Sequence, residues 1–145
     1  MELSRKAEIL LVEDNEADIR LTKEALEETE VLSNLSVVKD GEKALDFVFK
    51  RKGFEEAPSP DLILLDLNLP YKSGKEVLAE IKSHPELKSI PVVMLSTSQA
   101  REDINGAYQL HANCFLSKPV DFEEFVSLTQ KTTSYWLETA KLPEI

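Results

Sequence analysis

Four short apolar runs punctuate the chain: Ile9-Leu10-Leu11-Val12, Leu62-Ile63-Leu64-Leu65, Val92-Val93-Met94-Leu95 and Cys114-Phe115-Leu116. None alternates with polar residues. A strand with one wet face would alternate, so these runs predict strands covered on both faces, as in a parallel sheet. Leu35-Ser36-Val37-Val38 is half polar and suits an edge strand.

Helical patterns fill the gaps. Asp14 or Asn15 is placed to cap a first helix with Ala17, Leu21 and Ala25 on one face. Ala44, Leu45, Val48 and Phe49 mark a second. Val77, Leu78 and Ile81 mark a third, which must stop before Pro85. Ile104, Ala107, Tyr108 and His111 mark a fourth. Asp121 is placed to cap a fifth, with Phe122, Phe125, Val126, Thr129 and Trp136 along one stripe. Strands and helices therefore alternate five times. That order predicts an α/β fold, a doubly wound parallel sheet with helices on both faces. Arg51 to Pro60, with two prolines and mixed charge, reads as a loop.

The chain has 145 residues, enough for one domain with a sizeable core. Its net charge of -10 repels phosphate backbones and argues against sequence-independent nucleic-acid binding. The lone Cys114 forms no internal disulfide and fits a reducing, cytoplasmic setting. Met1-Glu2-Leu3-Ser4-Arg5-Lys6 has no apolar signal core behind its charges. No apolar run approaches the roughly 20 residues that span a bilayer, so no membrane partner is expected.

The chemistry sits where the apolar runs end. Glu13-Asp14 follows the first, Asp66 the third strand, Ser96-Thr97 the fourth and Ser117-Lys118-Pro119 the fifth. In open parallel sheets, ligands bind at the carboxyl ends of strands where the winding reverses. For a strand order of 2-1-3-4-5 that point brings Glu13, Asp14 and Asp66 together. Each like-charged pair at about 4 Å costs on the order of 4 kcal/mol at an effective dielectric near 20. A hard divalent cation, Mg²⁺ above all, relieves that repulsion and binds phosphate. The Asn68 carbonyl is placed to add a ligand. A phosphoryl group on Asp66 would find Lys118 and the Ser96 hydroxyl as partners, and aspartyl phosphates are established chemistry.

These motifs resemble the receiver domains of two-component response regulators. Ile9 to Asn15, Asp61 to Pro70 with Gly74, Ile90 to Ser96 and Ser117-Lys118-Pro119 carry the likeness. It implies a flavodoxin-like, five-stranded sheet with five helices, over a domain at 7–138 and a short tail at 139–145. It implies Asp66 as phosphoacceptor, Glu13, Asp14, Asp66 and Asn68 as Mg²⁺ site, and Ser96, Lys118 and Phe115 as phosphate-binding and switch residues. Gly74 is expected to serve backbone geometry. The implied donor is a sensor histidine kinase, and the implied output runs through the fourth helix, fifth strand and fifth helix.

The loop before the third strand and the ending Tyr135 to Pro143 are similar to the small regulators paired with cyanobacterial phytochrome kinases. That implies a phytochrome-type partner, no DNA-binding domain and a homodimer. Leu128, Tyr135 and Trp136 are candidates for its face. The alternatives are a chemotaxis-type or other receiver with a different kinase, and a Mg²⁺-dependent aspartyl-phosphate phosphatase. Such phosphatases place a second Asp two residues after the nucleophile, where this chain has Asn68. A flavin or nucleotide carrier would want a Gly-rich loop where Glu13-Asp14-Asn15-Glu16 stands. A scaffold without phosphate chemistry predicts no response to Mg²⁺. The receiver is read as a phosphoacceptor rather than an enzyme.

Overall fold

The computed structural model describes residues 6–143. The first five residues of the N-terminus, and Glu144 and Ile145 of the expected tail, lie outside the described residues. Five strands, β1 (Ala7–Val12), β2 (Ser33–Val38), β3 (Leu62–Asp66), β4 (Val92–Ser96) and β5 (Cys114–Ser117), form one sheet. Its order is β2-β1-β3-β4-β5, and every pairing is parallel. Five helices separate or follow the strands: α1 (Glu16–Glu27), α2 (Gly41–Phe49), α3 (Gly74–Ser83), α4 (Arg101–Gln109) and α5 (Phe122–Ser134).

The sheet divides the core in two, and the unbroken apolar runs serve both halves. Leu10, Val12, Ile63, Leu65, Val92 and Met94 face the side covered by α2, α3 and Ala107 of α4. Ile9, Leu11, Leu62, Leu64 and Val93, one residue out of phase, face Ile19 and Leu26 of α1 on the other side. A period of two thus sends each run's side chains alternately into two dry compartments. Each fully buried Leu or Ile contributes about 1.5–3 kcal/mol. The half-polar β2 is an edge strand, as its pattern predicts.

Local signals set the helix starts. Asn15 caps α1, its side chain accepting the Asp18 N–H. Asp40 caps α2, and Asp121 caps α5. Ser73 and Glu76 form a reciprocal capping box on α3. The Arg51–Pro60 loop is tied down by Phe54, whose ring lies 5.5 Å from that of Phe47.

Three expected helix faces need correction. In α1 the buried positions are Ile19, Thr22, Ala25 and Leu26, whereas Ala17 is exposed. In α4 only Ala107 is buried; Tyr108 is half exposed, and His111 lies past the helix end with φ +74°. In α5 the buried stripe is Phe125, Thr129 and Thr133, while Phe122 is 69% exposed. Phe122 is the first residue of α5, and there the helix faces water before it meets the sheet. The Thr129 and Thr133 hydroxyls each bond the carbonyl four residues back, which lets polar side chains sit in the core.

After α5 the chain widens into a π-helical turn, Tyr135–Thr139. The turn carries Trp136 and Leu137 onto the α1 side of the core, and leaves Tyr135 54% exposed. Among the described residues, no helix is long and apolar enough to cross a membrane.

Candidate functional site

The carboxyl edge of the sheet gathers the polar residues that end the strands. Glu13 continues β1, and its N–H donates to the Val38 carbonyl of β2 at 3.0 Å. Its side chain is 2% exposed. Because Asn15 takes the capping role on α1, Asp14 is left exposed at the rim. Asp66 closes β3 and is buried. Carboxylate oxygens of Glu13, Asp14 and Asp66 lie within 4.8 Å of one another.

Lys118 crosses into this cluster from the segment after β5. Its Nζ donates to Glu13 Oε1 at 2.7 Å and to Asp18 Oδ2 at 3.0 Å. It lies 3.4 Å from Asp66 Oδ2. Burial pushes the Glu13 carboxyl up to about 7, against the opposing pull of Lys118. Lys118 is held above the usual lysine range by Glu13, Asp66 and Asp18, which outweigh its own burial, so it stays charged. One ammonium therefore faces three carboxylates, with the exposed Asp14 a fourth at the rim, and the pocket is short of positive charge.

β4 and the loop after it run alongside Asp66. The Asp66 position pairs with Leu95 of β4, so Ser96 ends its strand one residue further out, fully buried. Ser96 Oγ accepts the Ser98 N–H at 2.9 Å. The Ser96 carbonyl accepts the Lys118 N–H at 2.8 Å. Ser98 Oγ in turn donates to Asp103 Oδ2 at 2.6 Å, and Asp103 pairs with Lys75 of α3 at 3.2 Å. The loop after β4 is thus anchored to two helices. Phe115, pointing to the α2–α3–α4 side, packs against that core, and its N–H donates to the Tyr108 hydroxyl at 3.1 Å.

The loop after β3 is folded tightly onto its neighbours. A Cβ on Gly74 would meet the Asp66 carbonyl oxygen at 2.2 Å, and one on Gly41 would meet the Lys72 carbonyl oxygen at 2.3 Å. Gly74 N–H donates to the Leu67 carbonyl at 2.8 Å. Gly74 thus serves backbone geometry, and it does so directly beneath Asp66. The Asn68 N–H reaches back toward Asp66 Oδ1 at 3.4 Å.

Residues 9–130 match the response regulator receiver domain family. The chain belongs to that family. Response regulator Rcp1 of Synechocystis is 47% identical to this receiver over 135 residues, covering 93% of this chain and 92% of Rcp1. The probable methanogenesis regulatory protein FilR2 of Methanothrix harundinacea is 38% identical, covering 93% of this chain and 86% of FilR2. Among solved structures, the phosphorylated cyanobacterial phytochrome response regulator RcpA superposes with a TM-score of 0.93 at 47% identity, over 97% of this chain and all of that one. The Mn(2+)-bound form of Rcp1 superposes with a TM-score of 0.91 at 46% identity, over 95% of this chain and 99% of that one. The receiver is thus a response regulator homologous to Rcp1 and RcpA, with the flavodoxin-like order 2-1-3-4-5 expected above.

The receiver's acidic trio fits a divalent cation. Three oxygen donors converge there, burial and then the neighbouring Asp66 charge push Glu13 toward protonation, and Asp14 is open to solvent. One residue escaped the sequence reading: Asp18, in the first turn of α1, which holds Lys118. An acid in a helix's first turn has an ordinary explanation in the helix dipole, so only the contact across 100 residues reveals its second partner. The phosphatase alternative is not favoured, because position 68 offers an amide and no carboxylic acid. Of the candidate dimer face, Tyr135 is exposed, Leu128 half-buried, and Trp136 leans on the receiver's own core with its ring 5.4 Å from that of Tyr135. Cys114 packs half-buried on the α1 side, and burial pushes its thiol up, away from redox reactivity.

Proposed function

We propose that Asp66 accepts a phosphoryl group from a phosphohistidine on a sensor kinase. The single observation that carries this reading is the convergence on Asp66 of Lys118 and of two further carboxylates from the end of β1. In the transfer, an Asp66 carboxylate oxygen forms a bond to phosphorus, the phosphorus–nitrogen bond breaks, and the imidazole leaves. Lys118 offers a charged donor to the phosphoryl oxygens, and Ser96 offers a hydroxyl whose oxygen is oriented by the Ser98 N–H. Glu13, Asp14, Asp66 and the Asn68 carbonyl are the residues that would hold Mg²⁺. When bound, Mg²⁺ supplies the positive charge that the carboxylates and the phosphoryl group together demand. The chain acts as a phosphoacceptor with slow loss of its own phosphate, not as an enzyme on other substrates.

The kinase is of the phytochrome type on this reading, supported by the identity to Rcp1 and the likeness to RcpA. The response leaves through α4, β5 and α5, with Phe115 as the switch aromatic and Leu128, Tyr135 and Trp136 on a homodimer face. The domain comprises 7–138, with 139–145 as a tail, and works in the cytoplasm. A small phosphodonor such as acetyl phosphate with Mg²⁺ is expected to add one phosphoryl group, read by intact mass. Asp66→Asn is expected to abolish the addition; unchanged labelling of that variant would sink the assignment.

A further inference from the structure

We infer that Asp18 is a positioning residue that holds Lys118 in the unphosphorylated domain and gives it up to the phosphoryl group. The inference rests on the reading of Asp66 as phosphoacceptor and adds a partner to that site.

The ammonium of Lys118 has three hydrogens. Two of them are bonded to carboxylates, Glu13 at 2.7 Å and Asp18 at 3.0 Å, and Asp66 Oδ2 lies 3.4 Å away as an ion pair. To close from that distance onto a phosphoryl oxygen of Asp66, Lys118 must draw away from one of the two acceptors that bond it. The two acceptors differ in what release costs them. Glu13 is 2% exposed, so stripped of Lys118 it has no water to turn to. Asp18 is 23% exposed and returns to water with less loss. It is therefore the acceptor that yields.

The rest of Asp18 is fixed. Its N–H donates to the Asn15 cap and its carbonyl accepts the Thr22 hydroxyl, so the carboxylate is presented from a rigid first turn of α1. In the resting domain the contact therefore ties α1 to the segment after β5. Phosphorylation breaks that tie and leaves α1 joined to α5 by packing and by Gln130, whose amide donates to the Ala25 carbonyl.

Removing the competitor favours the phosphorylated arrangement. Beryllofluoride stands in for the phosphoryl group on Asp66, and its binding in Mg²⁺ is measured by calorimetry. Asp18→Asn is expected to bind it roughly three- to tenfold more tightly, the range expected when one hydrogen-bonding competitor is removed. Asp18→Glu, which keeps the charge, is expected to stay within about twofold of wild type. Glu16→Gln removes a charge from the same helix turn, one that pairs with Lys39 instead, and is expected to have no comparable effect. Labelling by acetyl phosphate should follow the same ranking.

The inference is overturned if Asp18→Asn leaves binding unchanged or weakens it, or if Glu16→Gln tightens it equally. It is also overturned if Asp18→Asn retains its effect in a Lys118→Met background. Binding by Asp66→Asn as tight as by wild type would instead overturn the reading on which the inference rests.

Discussion

Gly74 lies directly against Asp66: a Cβ on the glycine would come within 2.2 Å of the Asp66 carbonyl oxygen. That oxygen is backbone and has no flexible end to move aside. Gly74→Ala must push the first turn of α3 away from the end of β3. The alanine gains something in helix propensity, yet the clash is expected to dominate, with a net loss of about 1–3 kcal/mol. Urea unfolding would measure it. Phosphodonor labelling of Asp66 should slow as well, because the displaced backbone carries the acceptor. A variant as stable and as readily labelled as wild type would refute the close approach.

Glu13 gives the metal-free protein a pH dependence of defined sign. Burial raises its carboxyl from the ordinary glutamate value of 4.5 to about 7 in the folded state. Between those values the folded chain holds a proton that the unfolded chain has lost. Stability therefore falls as pH rises through about 4.5 to 7, and is fully retained only below that window. Lys118 stays charged throughout it. A divalent cation takes the proton's place, so the fall should shrink when Mg²⁺ replaces EDTA. Urea midpoints at pH 5 and pH 8 in both conditions test this; a midpoint that rises with pH in EDTA contradicts it.

Tyr108 serves an edge strand. Among the described residues no sixth strand pairs with β5, and the Tyr108 hydroxyl accepts the Phe115 N–H at 3.1 Å. Tyr108→Phe removes the acceptor. Because the position is half exposed, water partly replaces it, and the loss should be about 0.5–1.5 kcal/mol. Hydrogen exchange at Phe115 should accelerate more than at Met94, its register partner in β4. Equal protection at Phe115 in both proteins would show that the hydroxyl contributes nothing to the edge.

The strand framework and the acidic trio were legible in the sequence because each rests on a short-range rule. Runs buried on both faces cannot alternate, and polar residues at their ends mark one edge of the sheet. What escaped depends on orientation. Phe122 and Ala17 are apolar residues near helix starts, and nothing in their spacing reveals that those first turns face water. Thr22 and Thr133 are polar in sequence but bond back into their own helices, which makes them core residues. Asp18 was hidden for the opposite reason. Its local role in a helix's first turn accounts for it fully until Lys118 arrives from the far end of the chain.

Tyr135 and Trp136 are adjacent, yet they should respond to truncation in different experiments. Trp136 packs on the α1 side of the core beside Leu137, and Tyr135 is 54% exposed above it. Trp136→Ala leaves a gap under α5 and is expected to cost about 2 kcal/mol, less than a fully buried tryptophan. Tyr135→Ala removes mostly hydrated surface and is expected to change stability by no more than about 0.5 kcal/mol. If the face carrying Leu128 and Tyr135 joins two copies, the same Tyr135→Ala change should weaken self-association at least tenfold, since exposed aromatics dominate such contacts. Sedimentation velocity across a concentration series, with and without acetyl phosphate, reads that effect separately from unfolding. A Tyr135→Ala protein with wild-type stability and wild-type sedimentation would remove Tyr135 from the interface. A large stability loss would place its ring in the core with Trp136 instead.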